Sequence, residues 1–393
     1  MTVEYVAVGT ELLLGNVDNI NAKFLGEQFA KLGLTCNYFT TVGDNKVGII
    51  EALRIAAERC DIVIMSGGLG VTYDDFTNES VEDFIGWHNP KEEAITLDNE
   101  WGKSQGKIYP LEHSTVILLP GNPEQLKNMF SQKVIPYLQK ISDMTVVTKT
   151  VKLTGISEGE LSSKIEALIT CHSNPAIVIC PKYAEVHIHI TATADNNKEC
   201  ERLIKPVIRE LKNIVGEYIF TTEDDVTLEQ SVVELLLKNN LTVTTAESCT
   251  GGMIASRLIN VPGVSEVLKV GYVTYSDQAK HKTLGVKNST LSKYTAVSAQ
   301  TCEEMASASG LTSKADVIVA VTGYAGPASG EDEVGLVYIG CNVKGNVTVE
   351  EFRFEGDRKT IRECAATSSL DLMRKCIIRY VSENEFGMRG KKK

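Results

Sequence analysis

The alternation of short apolar runs with amphipathic runs is the feature that most constrains the fold of this chain. In residues 1–143, apolar runs such as "DIVIMSGG" indicate strands, and runs such as "KVGIIEALRIAAERC" carry apolar residues three and four apart, which is typical of helices. Strands that alternate with helices predict a largely parallel sheet that is covered on both faces. The alternation returns in residues 224–385, where "VGLVYIGCNV" and "VTVEEFRFEG" predict a hairpin, so a mixed sheet is expected there.

The segment between these two regions follows a different order. Residues 144–222 predict strand, helix, strand, strand, helix and strand, which is the ferredoxin-like βαββαβ pattern. The acidic stretch "TTEDDVT" marks a linker after it, and residues 386–393 are expected to form a solvated basic tail. The fold prediction is therefore an α/β protein, in which a small ferredoxin-like α+β domain joins two α/β domains.

Charge and cysteine content narrow the classes of function. The 393 residues carry a formal net charge of −11, which argues against binding to nucleic acids or membranes. No apolar run reaches the length of about 18 residues that a transmembrane helix needs. Ten cysteines occur without a C-x-x-C pair in a chain whose start does not resemble a signal peptide, so we expect reduced thiols in a cytoplasm.

One pair of histidines lies close together in the sequence. His187 and His189 belong to "EVHIHITATA", where the alternation places both side chains on one face of a strand. They are either zinc ligands or part of an ordinary sheet face. No cluster of acids or cysteines lies near them in the sequence, which favours the sheet face.

The predicted parallel strands of the first domain end in polar or glycine-rich turns. Glycines at such ends let backbone amides approach a ligand closely, and the positive end of the following helix suits a phosphate. The alternative for each turn is a tight connection without a ligand. The residues that we expect on one rim are Glu11, Asp44, Gly67, Gly68, Gly70, Asp74 and Asp75.

The stretch "TTAESCTGGMIASRL" in the last domain places two potential nucleophiles side by side. Ser248 and Cys249 lie where a strand-like run gives way to a helix-like run, near backbone amides that can stabilise an oxyanion. Ser248 is either a nucleophile or an N-cap, and Cys249, which has no evident activating partner, is better interpreted as packing. Lys280 is the candidate base, since a buried lysine can lose its proton near neutral pH, and Tyr275 is expected to relay a proton or orient the amine.

Glycine-rich turns near Ser248 and after the strand "ADVIVAV" are the candidate substrate contacts. Two glycines after the serine remove side chains that would block a ligand, and the later turn, with an arginine at a helix start, offers a phosphate cradle. A plain turn or a surface arginine is the alternative in each case. These candidates are Gly251, Gly252, Thr322, Gly323, Gly326 and Arg362.

The motifs of the first domain resemble those of a known family. "GTELLLG", "INAKFL", "VGDN", "SGGLGVTYDD" and "LPGNPEQL" occur in the order that they have in the amino-terminal domain of the competence/damage-inducible CinA proteins. The resemblance implies a relation to molybdopterin-binding domains and a nucleotide- or pterin-like ligand. It also implies the metal-dependent ADP-ribose pyrophosphatase activity of some members, with Asp74 and Asp75 as candidate ligands of a divalent metal. Val71 replaces the family's usual proline, and the segment before "LPG" lacks the family's glycine-rich loop, which argues against this activity.

The last domain is similar to the carboxy-terminal domain of the same family, also called PncC, the nicotinamide mononucleotide deamidase. "AESCTGGMIASRL", "GYVTYSDQAKHKTLGV", "ADVIVAVTGYAGPASG" and "VGLVYIG" carry this resemblance. It implies that Ser248 is the nucleophile, assisted by Lys280 and Tyr275, and that nicotinamide mononucleotide is hydrolysed to nicotinic acid mononucleotide and ammonia. It implies no metal or other cofactor for this reaction, and it implies a homodimer or a larger assembly.

The function prediction is an amidohydrolase of pyridine nucleotide salvage and NAD metabolism, with a serine-lysine site in the last domain. Two alternatives stay open. One is a metal-dependent ADP-ribose pyrophosphatase in the first domain, and the other is a nucleotide-binding protein without catalytic activity.

Overall fold

A computed structural model describes residues 1–70, 75–86, 93–141, 144–327 and 333–390, with side chains except in 308–312 and 385–390. Its contacts divide the chain into two compact units. The first unit comprises residues 1–148, 172–176 and 190–207, and the second comprises 149–171, 177–189 and 208–393.

Six strands form the amino-terminal sheet. They are β1 (Thr2–Val8), β2 (Thr35–Val42), β3 (Ile62–Ser66), β4 (Ile95–Leu97), β5 (Gly106–Pro110) and β6 (Thr115–Leu119). Their order is β2-β1-β3-β6-β5-β4, and the first four are parallel, whereas β5 and β4 are antiparallel. The largely parallel sheet is confirmed, and the antiparallel pair is an addition that the sequence did not predict.

Helices pack against both faces of this sheet. They are α1 (Thr10–Leu13), α2 (Ile20–Leu32), α3 (Lys46–Arg59), α4 (Thr77–Gly86), α5 (Pro123–Met129) and α6 (Ile135–Ile141). The side chains of neighbouring residues in β1 point to opposite faces of the sheet, as in any β-strand. Tyr5 packs in a cluster with Phe29 and Phe130, whereas Val6 packs in another with Leu53.

The middle segment has the predicted βαββαβ order. Its elements are β7 (Thr145–Thr154), α7 (Glu158–Cys171), β8 (Ala176–Pro181), β9 (Glu185–Ala194), α8 (Asn197–Val215) and β10 (Ile219–Thr221). The sheet order β10-β7-β9-β8 is that of a ferredoxin-like fold, in which the two helices connect strands that are not neighbours. The fold class predicted for this segment is therefore confirmed.

His187 and His189 lie in β9 and face the same side of the sheet. The Nε2 atom of His187 is 3.0 Å from Oε2 of Glu185, and Nδ1 of His189 is 3.1 Å from the hydroxyl of Thr150. Burial lowers the pKa of His189, with a smaller contribution from His187. Within the described part of the chain, no group of three or more ligating side chains could hold a metal ion.

Five strands form the last sheet. They are β11 (Val243–Glu247), β12 (Leu268–Val273), β13 (Val317–Gly323), β14 (Leu336–Val343) and β15 (Asn346–Arg353). Their order is β12-β11-β13-β14-β15, in which the first three strands are parallel and the last two extend the sheet as an antiparallel hairpin. The mixed sheet and the hairpin are as predicted.

Six helices accompany this sheet. They are α9 (Leu228–Lys238), α10 (Met253–Ile259), α11 (Asp277–Leu284), α12 (Asn288–Tyr294), α13 (Ala299–Ser313) and α14 (Arg358–Gly390). The sequence did not predict α11 or α12. Residues 386–390 of the predicted basic tail continue α14, residues 391–393 lie outside the described residues, and the solvation of this tail stays a prediction. No helix in the described ranges has both the length and the apolar content that crossing a bilayer requires.

Candidate functional site

Ser248 and Lys280 meet at the carboxyl end of β11. Ser248 directly follows the strand, and its amide donates to the carbonyl of Val321 at 3.0 Å, so the serine is held against the end of β13. Lys280 lies in α11, and its Nζ is 2.9 Å from the Oγ of Ser248. The lysine side chain is buried, with 1% of its surface exposed. The structure therefore brings the two predicted catalytic residues into hydrogen-bond contact.

Burial disfavours the protonated form of Lys280. Its pKa lies below the ordinary lysine value because burial disfavours the charged form, and nearby Asp277 only partly opposes this effect. The amine has a second partner, the carbonyl of Thr274, at 3.0 Å. A neutral amine that donates one N–H to this carbonyl keeps its lone pair for the hydroxyl of Ser248, as a general base must.

Three backbone amides near Ser248, at the start of α10, donate hydrogen bonds to a carboxylate. The carboxylate of Glu247 accepts from the amides of Gly252, Ile254 and Ala255 at 2.9, 3.1 and 2.9 Å. These three amides are therefore not available to an oxyanion, and stabilisation of an oxyanion by amides near the helix start stays a prediction. Ser248 is not an N-cap either, because the N-cap residue of α10 is Gly252.

Cys249 is a buried thiol. It packs in the hydrophobic cluster of the last sheet, and burial raises its pKa to about 11. A nucleophilic cysteine needs a thiolate, which such a pKa disfavours at neutral pH. The structure supports the interpretation of this residue as packing.

Tyr275 lies at the rim rather than at the amine. Its side chain is 64% exposed, and its hydroxyl accepts from Nη2 of Arg358 at 3.1 Å. Arg358 also donates through Nη1 to the carbonyl of Gly326. The arginine thus joins the turns after β12 and β13, and the role of Tyr275 towards Lys280 stays a prediction.

Arg362 supports the turn that follows the nucleophile. Its Nε donates to the carbonyl of Cys249 at 3.0 Å, and its Nη2 donates to the carbonyl of Thr250 at 2.8 Å. Gly251 and Gly252 shape the same turn with φ angles of 62° and 94°, a region that favours glycine. Arg362 therefore has backbone partners, whereas it was predicted as a substrate contact.

The predicted phosphate cradle after β13 is only partly open. Thr322 is buried, and its hydroxyl donates to the carbonyl of Ala296 at 2.8 Å. A Cβ atom on Gly323 would lie 2.8 Å from the carbonyl oxygen of Leu336, so strand pairing alone requires glycine there. Gly326 has a φ angle of 79° and contacts Arg358, and residues 328–332 of the same loop lie outside the described residues.

The strand ends of the amino-terminal sheet surround a cavity of about 440 Å³. Six of the seven residues predicted for this rim line it, and Asp74 and Val71 lie outside the described residues. The six are Glu11, Asp44, Gly67, Gly68, Gly70 and Asp75. Asp18 adds a carboxylate that the sequence did not single out, and the described lining includes no lysine or arginine.

The geometry of this cavity depends on a glycine. At Gly67, φ is 97° and an added Cβ would lie 2.1 Å from the carbonyl oxygen of Val8. Asp44 accepts from the amide of Thr10 at 2.7 Å, which holds the α1 turn at the rim. The carboxylates in the lining do not suit a bare phosphate, and among the described residues they do not form a group of three or more that could hold a metal ion.

Comparison with known proteins places the chain in a family. Three family profiles match it: "Probable molybdopterin binding domain" over residues 4–140, "Damage-inducible protein CinA KH domain" over 148–221, and "CinA C-terminal domain" over 225–377. A relative in Clostridium beijerinckii, named as a competence-damage inducible protein, is 41% identical over 411 positions, with 96% of this chain and 100% of the relative covered. The chain belongs to the CinA family. A CinA-like protein of Kosmotoga olearia is 39% identical, with 97% of this chain and 100% of the relative covered.

Solved structures match single portions of this CinA-family chain. The competence/damage inducible protein CihA of Agrobacterium tumefaciens is 40% identical, covers 37% of this chain and 91% of its own, and has a TM-score of 0.36. A CinA superfamily protein of Klebsiella pneumoniae is 32% identical, with 39% and 96% covered and a TM-score of 0.38.

Proposed function

We propose that this CinA-family chain is an amidohydrolase that converts nicotinamide mononucleotide to nicotinic acid mononucleotide and ammonia in the cytoplasm, acting as a homodimer. The observation that carries the proposal is the 2.9 Å contact between Oγ of Ser248 and Nζ of the buried Lys280. A serine-lysine pair of this kind is a known variant of the nucleophile-base arrangement of acyl-transfer enzymes. Nicotinamide mononucleotide as the substrate rests on the resemblance of the site motifs to PncC.

The first half of the reaction forms an acyl-enzyme. Neutral Lys280 takes the hydroxyl proton of Ser248, and Oγ attacks the carboxamide carbon of the substrate. The resulting ammonium of Lys280 returns a proton to the amide nitrogen as the C–N bond breaks. Ammonia leaves, and the nicotinoyl group stays on Ser248 as an ester.

The second half restores the enzyme. Lys280, again neutral, takes a proton from a water molecule that attacks the ester carbon. The ammonium then returns this proton to Oγ of Ser248 as the ester bond breaks and the carboxylic acid product forms. The lysine cycles between two charge states, so a pKa below the ordinary lysine value serves both halves.

Arg358 is the arginine that we assign to the substrate phosphate. Its side chain is exposed at the rim, where it contacts the turns that carry Tyr275 and Gly326. Both arginines donate from two nitrogens, but Arg362 is less suitable because its side chain is partly buried under the nucleophile turn, whose carbonyls it holds. A guanidinium can bind a phosphate oxygen pair in a bidentate manner.

Ammonia release from nicotinamide mononucleotide by the purified full-length chain tests the proposal. Ser248→Ala and Lys280→Met are expected to abolish release, whereas Lys282→Met, which changes an exposed lysine of the same helix, is expected to leave it unchanged. No release by the wild-type chain would reject the substrate. Release that persists in both site variants would reject the mechanism.

The amino-terminal cavity supports a second candidate function, the metal-dependent hydrolysis of ADP-ribose. The observation that favours it is the cavity of about 440 Å³ at the strand ends, whose lining includes Asp75 and other carboxylates. Formation of AMP and ribose 5-phosphate should require Mg²⁺ or Mn²⁺ and should fall in Asp75→Asn. Equal product formation by this variant would reject the assignment.

A further inference from the structure

Glu247 is a completely buried carboxylate next to the nucleophile. It is the last residue of β11, and four donors from the following eight residues converge on it. Oε2 accepts from the hydroxyl of Thr250 at 2.8 Å and from the amides of Gly252 and Ile254, while Oε1 accepts from the amide of Ala255 at 2.9 Å. A buried charge is tolerated only when it is satisfied in this way.

The backbone of Glu247 is connected to the base. Its carbonyl accepts from the amide of Thr274 at 2.8 Å, and the carbonyl of Thr274 accepts from Nζ of Lys280 at 3.0 Å. The side chain of Glu247 therefore holds the turn on one side of Ser248, and its peptide group holds the strand end that contacts the lysine.

We propose that Glu247 is a positioning residue that sets the separation between Oγ of Ser248 and Nζ of Lys280. The inference rests on the proposed serine-lysine mechanism and assigns to that site a residue that touches neither the substrate nor the reacting atoms. A shift of about 1 Å in such a pair can cost a factor of about 100 in rate.

The conformation of the turn explains why an external clamp is needed. Gly251 and Gly252 both have left-handed φ angles, and α10 has only seven residues, too few for a helix to be stable by itself. Neither element fixes Ser248 without support. The carboxylate supplies it by binding three amides and a hydroxyl at once, alongside Arg362, which donates to two carbonyls of the same turn.

Geometry, rather than charge, is the route by which Glu247 acts. The carboxylate of Glu247 is bound by donors of the turn and of α10, whereas Nζ of Lys280 contacts Oγ of Ser248 and the carbonyl of Thr274. Removal of the carboxylate should therefore lower the rate without moving the pH dependence that Lys280 gives to the reaction.

Two variants of Glu247 test the proposal in the full-length chain. Glu247→Ala removes all four acceptor contacts, whereas Glu247→Gln can keep its oxygen at the three-donor position and loses only the contact with Ala255. Three readouts are needed: kcat and KM for ammonia release, the rate of Ser248 modification by a fluorophosphonate, and the thermal midpoint. The fluorophosphonate reports on the nucleophile whatever the natural substrate is.

We expect Glu247→Ala to lower kcat and the rate of Ser248 labelling together by about 10- to 1000-fold, with a KM change below about threefold. Glu247→Gln should lie between this variant and the wild type, and the pH profile of labelling should keep its midpoint in both. If Glu247→Ala does not fold, the intermediate rates of the glutamine variant carry the test.

Glu304 offers a matched control in the same domain. Its carboxylate accepts from the amide of Lys287 and the hydroxyl of Thr290, both at 2.8 Å, at the start of α12. Glu304→Ala should lower the thermal midpoint and leave Ser248 labelling unchanged. Wild-type labelling rates in folded Glu247→Ala, or equal slowing by Glu304→Ala, would overturn the proposal.

The same experiment separates the two assignments. If the wild type is labelled at Ser248 but releases no ammonia, the substrate is wrong, and the labelling rates still decide the role of Glu247. If Ser248 of the wild type neither reacts with the fluorophosphonate nor supports ammonia release, the serine-lysine mechanism and the role of Glu247 are both overturned.

Discussion

Replacing Lys280 by methionine separates the chemical role of this residue from its contribution to folding. Methionine fills much of the volume of the buried stem, but its thioether is only a weak acceptor and cannot take the proton of Ser248. A general base contributes a factor of about 10²–10⁴ to a rate. We therefore expect kcat to fall by at least this factor, which corresponds to about 3–5 kcal/mol of transition-state stabilisation.

The effect of Lys280→Met on stability is expected to be small at neutral pH, because two terms oppose each other. The buried carbonyl of Thr274 loses its hydrogen bond, which costs about 1–3 kcal/mol. The variant no longer has to bury an amine whose charged form is disfavoured, and this offsets the loss. The thermal midpoint should therefore change by less than about 4 °C.

The pH dependence of stability shows whether burial of the Lys280 amine lowers the free energy of unfolding. Because the pKa of Lys280 is lower in the folded chain than its ordinary value of 10.5, the unfolded chain binds the proton more readily between these two values. The wild type should gain stability relative to Lys280→Met as pH rises from this lowered pKa towards 10.5, and the gain should end there.

Thermal unfolding of the wild type, Lys280→Met and Lys282→Met over this pH range measures the difference directly. The exposed Lys282 is the control, and Lys282→Met should follow the wild type throughout. Parallel curves for the wild type and Lys280→Met would refute the burial of a proton-releasing amine. Ammonia release by Lys280→Met at the wild-type rate would refute its role as base.

Three further predictions concern other parts of the molecule. Cys249→Ala should keep ammonia release within about threefold, because the thiol only packs, and should cost about 1–2 kcal/mol by unfolding. Gly67→Ala should lower the thermal midpoint far more than Gly15→Ala, because the first places a Cβ 2.1 Å from a carbonyl oxygen, whereas the second has open space and costs about 1 kcal/mol of left-handed strain. Arg257→Ala should destabilise the chain by about 1–3 kcal/mol by leaving Glu229 without its ion-pair partner, and the loss should shrink as pH falls through the lowered pKa of that carboxyl.

The alternation in the sequence was sufficient for the order of most elements, but it failed where buried positions are not apolar. In α11 the buried residues are Lys280 and Leu284, one turn apart, so one of the two buried positions of this helix is a lysine. No apolar period is visible there. Strand β4 has three residues, two of them exposed, which is too short a pattern to distinguish from a loop.

The sequence predicted the main residues of the candidate site, but it did not predict the hydrogen bonds that hold them in place. Ser248 and Lys280 were identified because motifs around them resemble a known site, whereas a buried Glu247 looks like any acidic residue at a strand end. Its role depends on donors that only the folded turn brings together. Arg358 and Arg362 are one helical turn apart in the same stretch, and only the structure distinguishes the rim arginine from the one that clamps the turn.

The clamp by Arg362 links the site to the order in which the chain is synthesised. The arginine comes 113 residues after Cys249, whose carbonyl it holds, and it belongs to the last helix, α14. During synthesis, Ser248 and Lys280 leave the ribosome before the helix that holds the serine turn has been made. A product that stops before Arg358 would therefore contain both reacting residues, yet we expect it to be inactive. Chains that end prematurely would therefore not hydrolyse the substrate, and only complete chains would be active.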